Sequence, residues 1–230
     1  GRGILWRAGG DVLVTNTVVR GSTMNGLSFS PEAFCTVTLR DAIVGDVENI
    51  CALFSNTEAY LDDDLFYACK GGGVVVDQGH LDMFDTNIYA CNFAGVAFFE
   101  STGYLEDNII LGTEPFVTGP YAGGWGDGIT ALLSPQVSVV GNRIINTARA
   151  AVSNFQSHIE ISSTLLTCQT FDLVVDSLPP HFFGFGRPLE SNPGTWDNQG
   201  GTLCGCPIAN SECDAETVGF DPLVPVDPDF

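Results

Sequence analysis

Basic residues are almost missing from this chain. Its 230 residues include 8 Lys and Arg, of which Lys70 is the one lysine, against 28 Asp and Glu, giving a formal charge of −20. Phosphate recognition needs a basic stripe, so nucleic acid is excluded as a partner. Long apolar runs are missing too: nothing approaches the roughly 20 residues of a membrane-spanning helix, and the start carries no charged-then-apolar export signal. The eight cysteines contain no C-x-x-C pair of zinc spacing, and no N-x-S/T acceptor occurs. What remains is an apolar content of 44% with 27 glycines. That composition suits a globular strand-and-turn protein rather than a disordered one. An even number of dispersed cysteines points to an oxidising compartment, outside the cell or on its surface.

The stretch from Gln136 to Asn154 shows the grammar of the chain. A short alternating strand (Val137, Val139) leads to a turn at Gly141-Asn142. An apolar pair (Ile144, Ile145) follows, then a second corner and another short apolar run around Val152. One such unit cannot bury its own apolar side chains. The unit recurs as a small polar residue followed two positions later by an aliphatic one: Asn16, Asp41, Asp63, Thr86, Asp107, Asn142 and Ser163 are the anchors. An apolar residue stands two positions before each. The steps lie between 21 and 25 residues, apart from one of 35. A period near 22 with two or three short strands per repeat predicts a parallel β-solenoid. The leucine-rich repeat has a similar period, but its L-x-x-L-x-L pattern is not present.

These repeated Asn/Asp-x-aliphatic corners, followed later by a glycine-aliphatic step, resemble the right-handed parallel β-helix of the pectin-lyase-like superfamily. The resemblance covers roughly residues 3 to 176. It implies an all-β fold, a right-handed parallel β-helix (solenoid) of about eight coils. It implies little about activity, because that fold hosts lyases, hydrolases, epimerases, tailspikes and adhesins. The expected organisation is a β-helix over 1–176, then a cysteine-containing C-terminal cap and an extended Pro/Asp-rich tail over 177–230, with His181-Phe182-Phe183-Gly184-Phe185 plugging the last coil. The start, Gly3-Ile4-Leu5-Trp6, enters part-way through a coil, so a longer chain or a partner is expected to cover it, and copies could also associate through their coil ends.

Aligned on the anchors, the outward position one before each places Asp62, Asp85 and Glu106 side by side on successive coils. Asp64, Asn87 and Asn108 flank them, and Arg40 and Arg143 close the ends. Carboxylates about 4.8 Å apart would repel by about 3 kcal/mol per pair, which solvent, a raised pKa or a cation must offset. Three readings stay open: a solvated acidic face, a Ca²⁺ site on Asp62, Asp64, Asp85 and Glu106, or a catalytic acid group. Oxygen ligands favour Ca²⁺. Polysaccharide lyases of the resembling superfamily carry Ca²⁺ on acidic residues of consecutive coils with an arginine or lysine as base, which would cast Arg143 or Arg40 in that role. The pectin-hydrolysing branch is not matched: Asn16-Thr17 lacks its Asp, Gly79-His80-Leu81 replaces G-H-G, and Asn142-Arg143-Ile144-Ile145 lacks the lysine. His80, His158 and His181 read as scattered strand-end residues.

The step of 35 contains an insertion, Gly112 to Asp127, whose Phe116, Tyr121 and Trp125 are candidates either to grip sugar rings or to pack on the rod. Among the cysteines, Cys69 and Cys91 fall within disulfide reach on adjacent coils. Two of Cys168, Cys204, Cys206 and Cys213 are expected to staple the cap to the rod, with a zinc site on Cys204, Cys206, Cys213 and His181 as the alternative. The function expected from the sequence is a secreted or surface-displayed solenoid, binding a polysaccharide or cell-surface glycan or serving as an adhesive or structural rod. The alternative is a Ca²⁺-dependent lyase of uronate polymers.

Overall fold

Corners that force the backbone into a left-handed conformation set the architecture. The structure, a computed structural model, describes residues 3–115, 125–168, 170–176, 194–205, 213 and 215–216. Within these residues the chain forms 25 strands and no helix. A first sheet contains, in spatial order, β1 (Ile4–Trp6), β4 (Leu27–Phe29), β7 (Ile50–Ser55), β10 (Gly72–Asp77), β13 (Ala94–Phe99), β16 (Asp127–Leu132), β19 (Ala150–Phe155), β22 (Phe171–Asp176) and β25 (Ala215–Glu216). The second contains β2 (Gly10–Thr15), β5 (Cys35–Arg40), β8 (Thr57–Asp62), β11 (His80–Phe84), β14 (Thr102–Glu106), β17 (Gln136–Val140), β20 (His158–Ser162) and β23 (Thr195–Asn198). The third contains β3 (Val18–Arg20), β6 (Ile43–Val47), β9 (Leu65–Cys69), β12 (Asn87–Tyr89), β15 (Ile109–Leu111), β18 (Arg143–Thr147), β21 (Leu165–Cys168) and β24 (Leu203–Cys204). Every strand pairs in parallel with the equivalent strand one coil on. The chain is a parallel β-solenoid, as the repeat predicts, of about seven turns rather than eight. The last three strands, from the region expected to form a cap, add to β20, β21 and β22 and so continue the three sheets.

Alternation along each strand puts one set of side chains inside. Leu39, Leu61, Met83, Leu105, Val139 and Ile161 stack through the second sheet, and Val44, Phe66, Ile88, Ile110, Ile144 and Leu166 through the third, all fully buried. Phe29 and Phe54 stack with ring centroids 5.4 Å apart. Where Phe98 needs space the facing residue is Gly103, whose missing Cβ would lie 2.3 Å from the ring. Stacking identical positions converts seven marginal coils into one continuous core.

Between the second and third sheets the corner residues are Asn16, Asp41, Asp63, Asp85, Asp107, Gly141 and Ser163, all at positive φ. Asx residues and glycine tolerate that region and β-branched residues do not. This corrects the sequence alignment in two coils. Asp85 (φ 45°) and Gly141 (φ 67°), not Thr86 and Asn142, turn the chain. Thr86 and Asn142 instead point inward and are buried.

Cysteine pairing also differs from expectation. Cys69 bonds Cys51, 18 residues earlier, with Cα atoms 5.5 Å apart, while Cys91 is a buried free thiol, as is Cys35. Proximity of adjacent coils allowed Cys69 and Cys91 to pair, but Cys51 and Cys69 close their own coil, joining the start of β7 to the end of β9. Cys204 bonds Cys213, which removes both from the alternative zinc site. Cys168 is also disulfide-bonded. Cys206 and His181 lie outside the described residues.

Candidate functional site

Each sheet presents one outward face, and the three differ. That of the first sheet is covered: Val75, Ala97, Leu132 and Phe155 are buried there with Phe93 and Trp125. Trp125 meets Phe93 and Phe155 edge-on, at 5.1 and 5.7 Å. The Arg149 guanidinium lies 4.8 Å over its ring and binds the fully buried Asp127 through two nitrogens, assisted by Thr130 Oγ1 donating to Asp127 at 3.1 Å. Trp125 is therefore packed against the rod, 2% exposed, rather than displayed for a ligand. Phe116 and Tyr121 lie outside the described residues.

The third sheet's outer row runs Ile43, Leu65, Asn87, Ile109, Arg143, Leu165. Asn87 and Arg143 thus stand here, two coils apart, around a corner from Arg40 and Asp62. Sequence alignment put Arg40 and Arg143 at the ends of one patch, and the structure separates them onto different sheets.

The second sheet carries the polar face. Its outward positions form three columns of in-register neighbours, about 4.8 Å apart from coil to coil. One is Glu58, His80, Thr102, Gln136, His158; the next is Tyr60, Asp82, Tyr104, Ser138, Glu160; the third is Arg40, Asp62, Phe84, Glu106, Val140. The expected acidic row is broken at its centre. Phe84, not Asp85, stands between Asp62 and Glu106, because the corner takes Asp85. Asp62 and Glu106 are then two coils apart, about 10 Å, and repel by less than about 2 kcal/mol. Asp85 joins a separate exposed row at the corner, with Asp41, Asp63 and Asp107 on consecutive coils.

Short contacts hold the carboxylates of the polar face in place. Tyr60 Oη donates to Glu58 Oε1 at 2.6 Å, and Tyr104 Oη to Glu106 Oε2 at 3.1 Å. His80 lies with Nε2 3.0 Å from Asp82 Oδ1 and Nδ1 2.6 Å from Thr102 Oγ1. Arg40 Nε donates to Asp62 Oδ2 at 2.9 Å, and Ser138 Oγ to Glu160 Oε2 at 3.2 Å. Phe84 and Tyr104 meet at a tilt, 5.9 Å between centroids. The hydrogen bond to Glu58, with burial and the nearby Asp82 charge, pushes the Tyr60 hydroxyl up to about 12. Burial and then Glu106 raise that of Tyr104. Acceptors and aromatic edges held on in-register strands make a surface able to accept hydrogen bonds from a hydroxylated ligand while stacking on its apolar faces.

Two expected members of the site are inside the rod. Asp64 (1% exposed) and Asn108 (fully buried) belong to a ladder one residue past each corner. Ala42 N donates to Asp64 Oδ1, Asp64 N to Thr86 Oγ1, Thr86 N to Asn108 Oδ1, Asn108 N to Asn142 Oδ1, and Asn142 N to Thr164 Oγ1. The amides also reach back one coil: Asn108 Nδ2 donates to Met83 O and Asn142 Nδ2 to Leu105 O. The Asp64 side chain has no N–H to do this, and its Oδ2 is buried without a partner. Burial pushes the Asp64 carboxyl from 3.8 up to about 7, with the neighbouring Asp62 and Asp41 charges adding to the rise and the Ala42 N–H opposing it. Among the described residues, no group of three or more His, Cys, Asp or Glu is arranged to hold a metal ion.

Comparison with known proteins returns little. No protein-family model matches the chain, and no curated protein matches it in sequence. Among solved structures, the chain is similar to the catalytic unit of a thermostable GH87 α-1,3-glucanase from Streptomyces thermodiastaticus strain HF3-3, with 10% identity and a TM-score of 0.32. The match covers 86% of this chain and 51% of that one, so the chain spans about half the length of the structure it matches.

Proposed function

We propose that this chain is a glycan-binding rod, displayed or secreted outside the cell, whose ligand lies along the outer face of the second sheet. The observation that carries the reading is the column Tyr60–Asp82–Tyr104. It stands on three consecutive coils and is edged by Glu58 and His80 on one side and Asp62, Phe84 and Glu106 on the other. The disulfides are consistent with an extracellular setting. No helix of the described residues is long and apolar enough to cross a membrane. The test is electrophoresis of the intact chain through gels containing single polysaccharides. Retardation by at least one of them supports the reading, and unchanged mobility across a broad panel refutes it.

The lyase alternative asks for an arginine free to take a proton beside a cation-held uronate. Arg40 is committed to Asp62 at 2.9 Å, and Arg143 is on the third sheet. Binding without cleavage is therefore the preferred reading. Incubation with pectate or alginate and Ca²⁺ is expected to give a flat ultraviolet trace, and rising absorbance from unsaturated products would restore the lyase. Ca²⁺ stays in the proposal only as a counter-ion shared pairwise by neighbouring carboxylates of the exposed Asp41, Asp63, Asp85 and Asp107 corner, since no three of them are arranged to hold it. A melting temperature that rises with Ca²⁺ no more than with Na⁺ of equal ionic strength removes it.

A further inference from the structure

The charge on the polar face narrows the class of glycan. Glu58, Asp62, Asp82, Glu106 and Glu160 all point outward from the second sheet, and the one full cation among them, Arg40, is used by Asp62. His80 and His158 sit against Asp82 and Glu160 and carry charge only when protonated. The negative field spans coils: behind the Glu58 hydrogen bond at Tyr60 and burial at Tyr104, the Asp82 carboxylate adds a smaller rise to both hydroxyls on the strands either side of it. An anionic polymer is repelled by such a face, and the described residues hold no cluster arranged to seat a metal ion that would reverse the sign.

We propose that the occupant of this face is a linear glycan carrying free primary amines, a deacetylated hexosamine polymer, and that its selection over neutral and uronate glycans is electrostatic. The inference rests on the glycan-binding reading above and adds the ligand's chemical class. Ammonium groups would pair with Glu58, Asp82 and Glu106, which their tyrosine and histidine neighbours already orient. The sugar rings would lie over Tyr60, Phe84 and Tyr104. A chain running along the stack meets a tier of these groups on each of three successive coils, about 4.8 Å apart.

The experiment is calorimetric titration of the intact chain near pH 7, above the ordinary imidazole range, where surface carboxylates are ionised and hexosamine amines still carry partial charge. The probes are chitosan oligomers, fully N-acetylated chitin oligomers of the same length, oligogalacturonate and poly-lysine. Chitosan is expected to bind at least about 10-fold more tightly than the acetylated oligomer, to weaken as salt is raised, and to lose about 10-fold or more in the variant combining Glu58→Gln, Asp82→Asn and Glu106→Gln. Oligogalacturonate is expected not to bind. Equal binding of the acetylated and free-amine oligomers, or binding of oligogalacturonate, overturns the charge assignment while leaving a glycan-binding face in place. Poly-lysine binding as tightly as chitosan overturns the sugar part. Binding of no glycan at all overturns both. Circular dichroism of the variant confirms that lost binding is not lost structure, and a single Asp82→Asn change, at the centre of the face, repeats the test should the triple variant fail to fold.

Discussion

Replacing Asp64 by asparagine should stabilise this protein, and by an amount that depends on pH. Asp64 is the one carboxylic acid in a ladder otherwise built of amides and hydroxyls. Its Oδ1 accepts from Ala42 N at 2.7 Å, while its buried Oδ2 has no partner. The repeat says what stands there. Asn108 and Asn142 donate from Nδ2 to Met83 O and Leu105 O, and the residue in the same row one coil before Asp64 is Leu39. A neutral Asp64 or an asparagine can donate to that carbonyl, but an ionised Asp64 cannot. Moving the carboxyl from 3.8 to about 7 on folding corresponds to about 4 kcal/mol. Because the folded value is the higher one, this contribution is fully present below about pH 4 and is lost as pH rises to about 7. Asp64→Asn should therefore match the wild type near pH 4 and exceed it by about 4 kcal/mol above pH 8, with a melting temperature higher by about 10 °C there. Urea unfolding of both proteins at several pH values measures the difference directly, since the remaining carboxylates cancel. A variant no more stable than the wild type at pH 8, or a difference that does not change with pH, refutes the ladder argument.

Arg149→Met should cost about 3–5 kcal/mol by stranding the buried Asp127, and adding Asp127→Leu should recover part of that loss. Equal stability of the single variant and the wild type in urea would contradict the pairing. Removing the Cys51–Cys69 bond by Cys51→Ser with Cys69→Ser should cost about 3 kcal/mol for a closed loop of this length, read from unfolding curves of the double variant. Gly103→Ala should cost about 1–3 kcal/mol by driving a methyl into the Phe98 ring, and a neutral result would mean that the ring turns aside.

Period and composition carried the fold. Alternating strands, a 22-residue spacing and Asx corners are local features, and they lead to a parallel β-solenoid with strands over the expected segments. The site was legible only in part, because register errors of one residue move a side chain from outside to inside. Thr86 and Asn142 looked like anchors since each stands two before an aliphatic, yet the adjacent Asp85 and Gly141 are what a positive φ selects. Applying that criterion would have moved Asp85 out of the acidic row and seated Phe84 in it. It would also have shown Asn108 and Asn142 to be equivalent. Tyr60, Asp82 and Tyr104 lie beyond the residues flanking each corner, so an alignment on the corners alone does not reach them. Stepping back two more positions, with the strand's own alternation, reaches all three at an even spacing of 22. His80, read as a strand-end residue, sits beside Asp82 for the same reason. Trp125 could not be placed in advance, since nothing in a glycine-rich insertion says whether an aromatic ring folds back onto the rod. Nor does coil spacing decide among cysteines when three of them, Cys51, Cys69 and Cys91, all end inside.

The glycan-binding face is tested most directly by comparing two double variants in the same polysaccharide gel. Tyr60→Ala with Tyr104→Ala strips the second sheet's outer face, and Tyr67→Ala with Tyr89→Ala strips the equivalent tyrosines of the third. The account predicts that the first pair abolishes retardation while the second migrates as the wild type does. Retention of binding by the first pair, or its loss in the second alone, would place the ligand elsewhere on the rod and contradict the account.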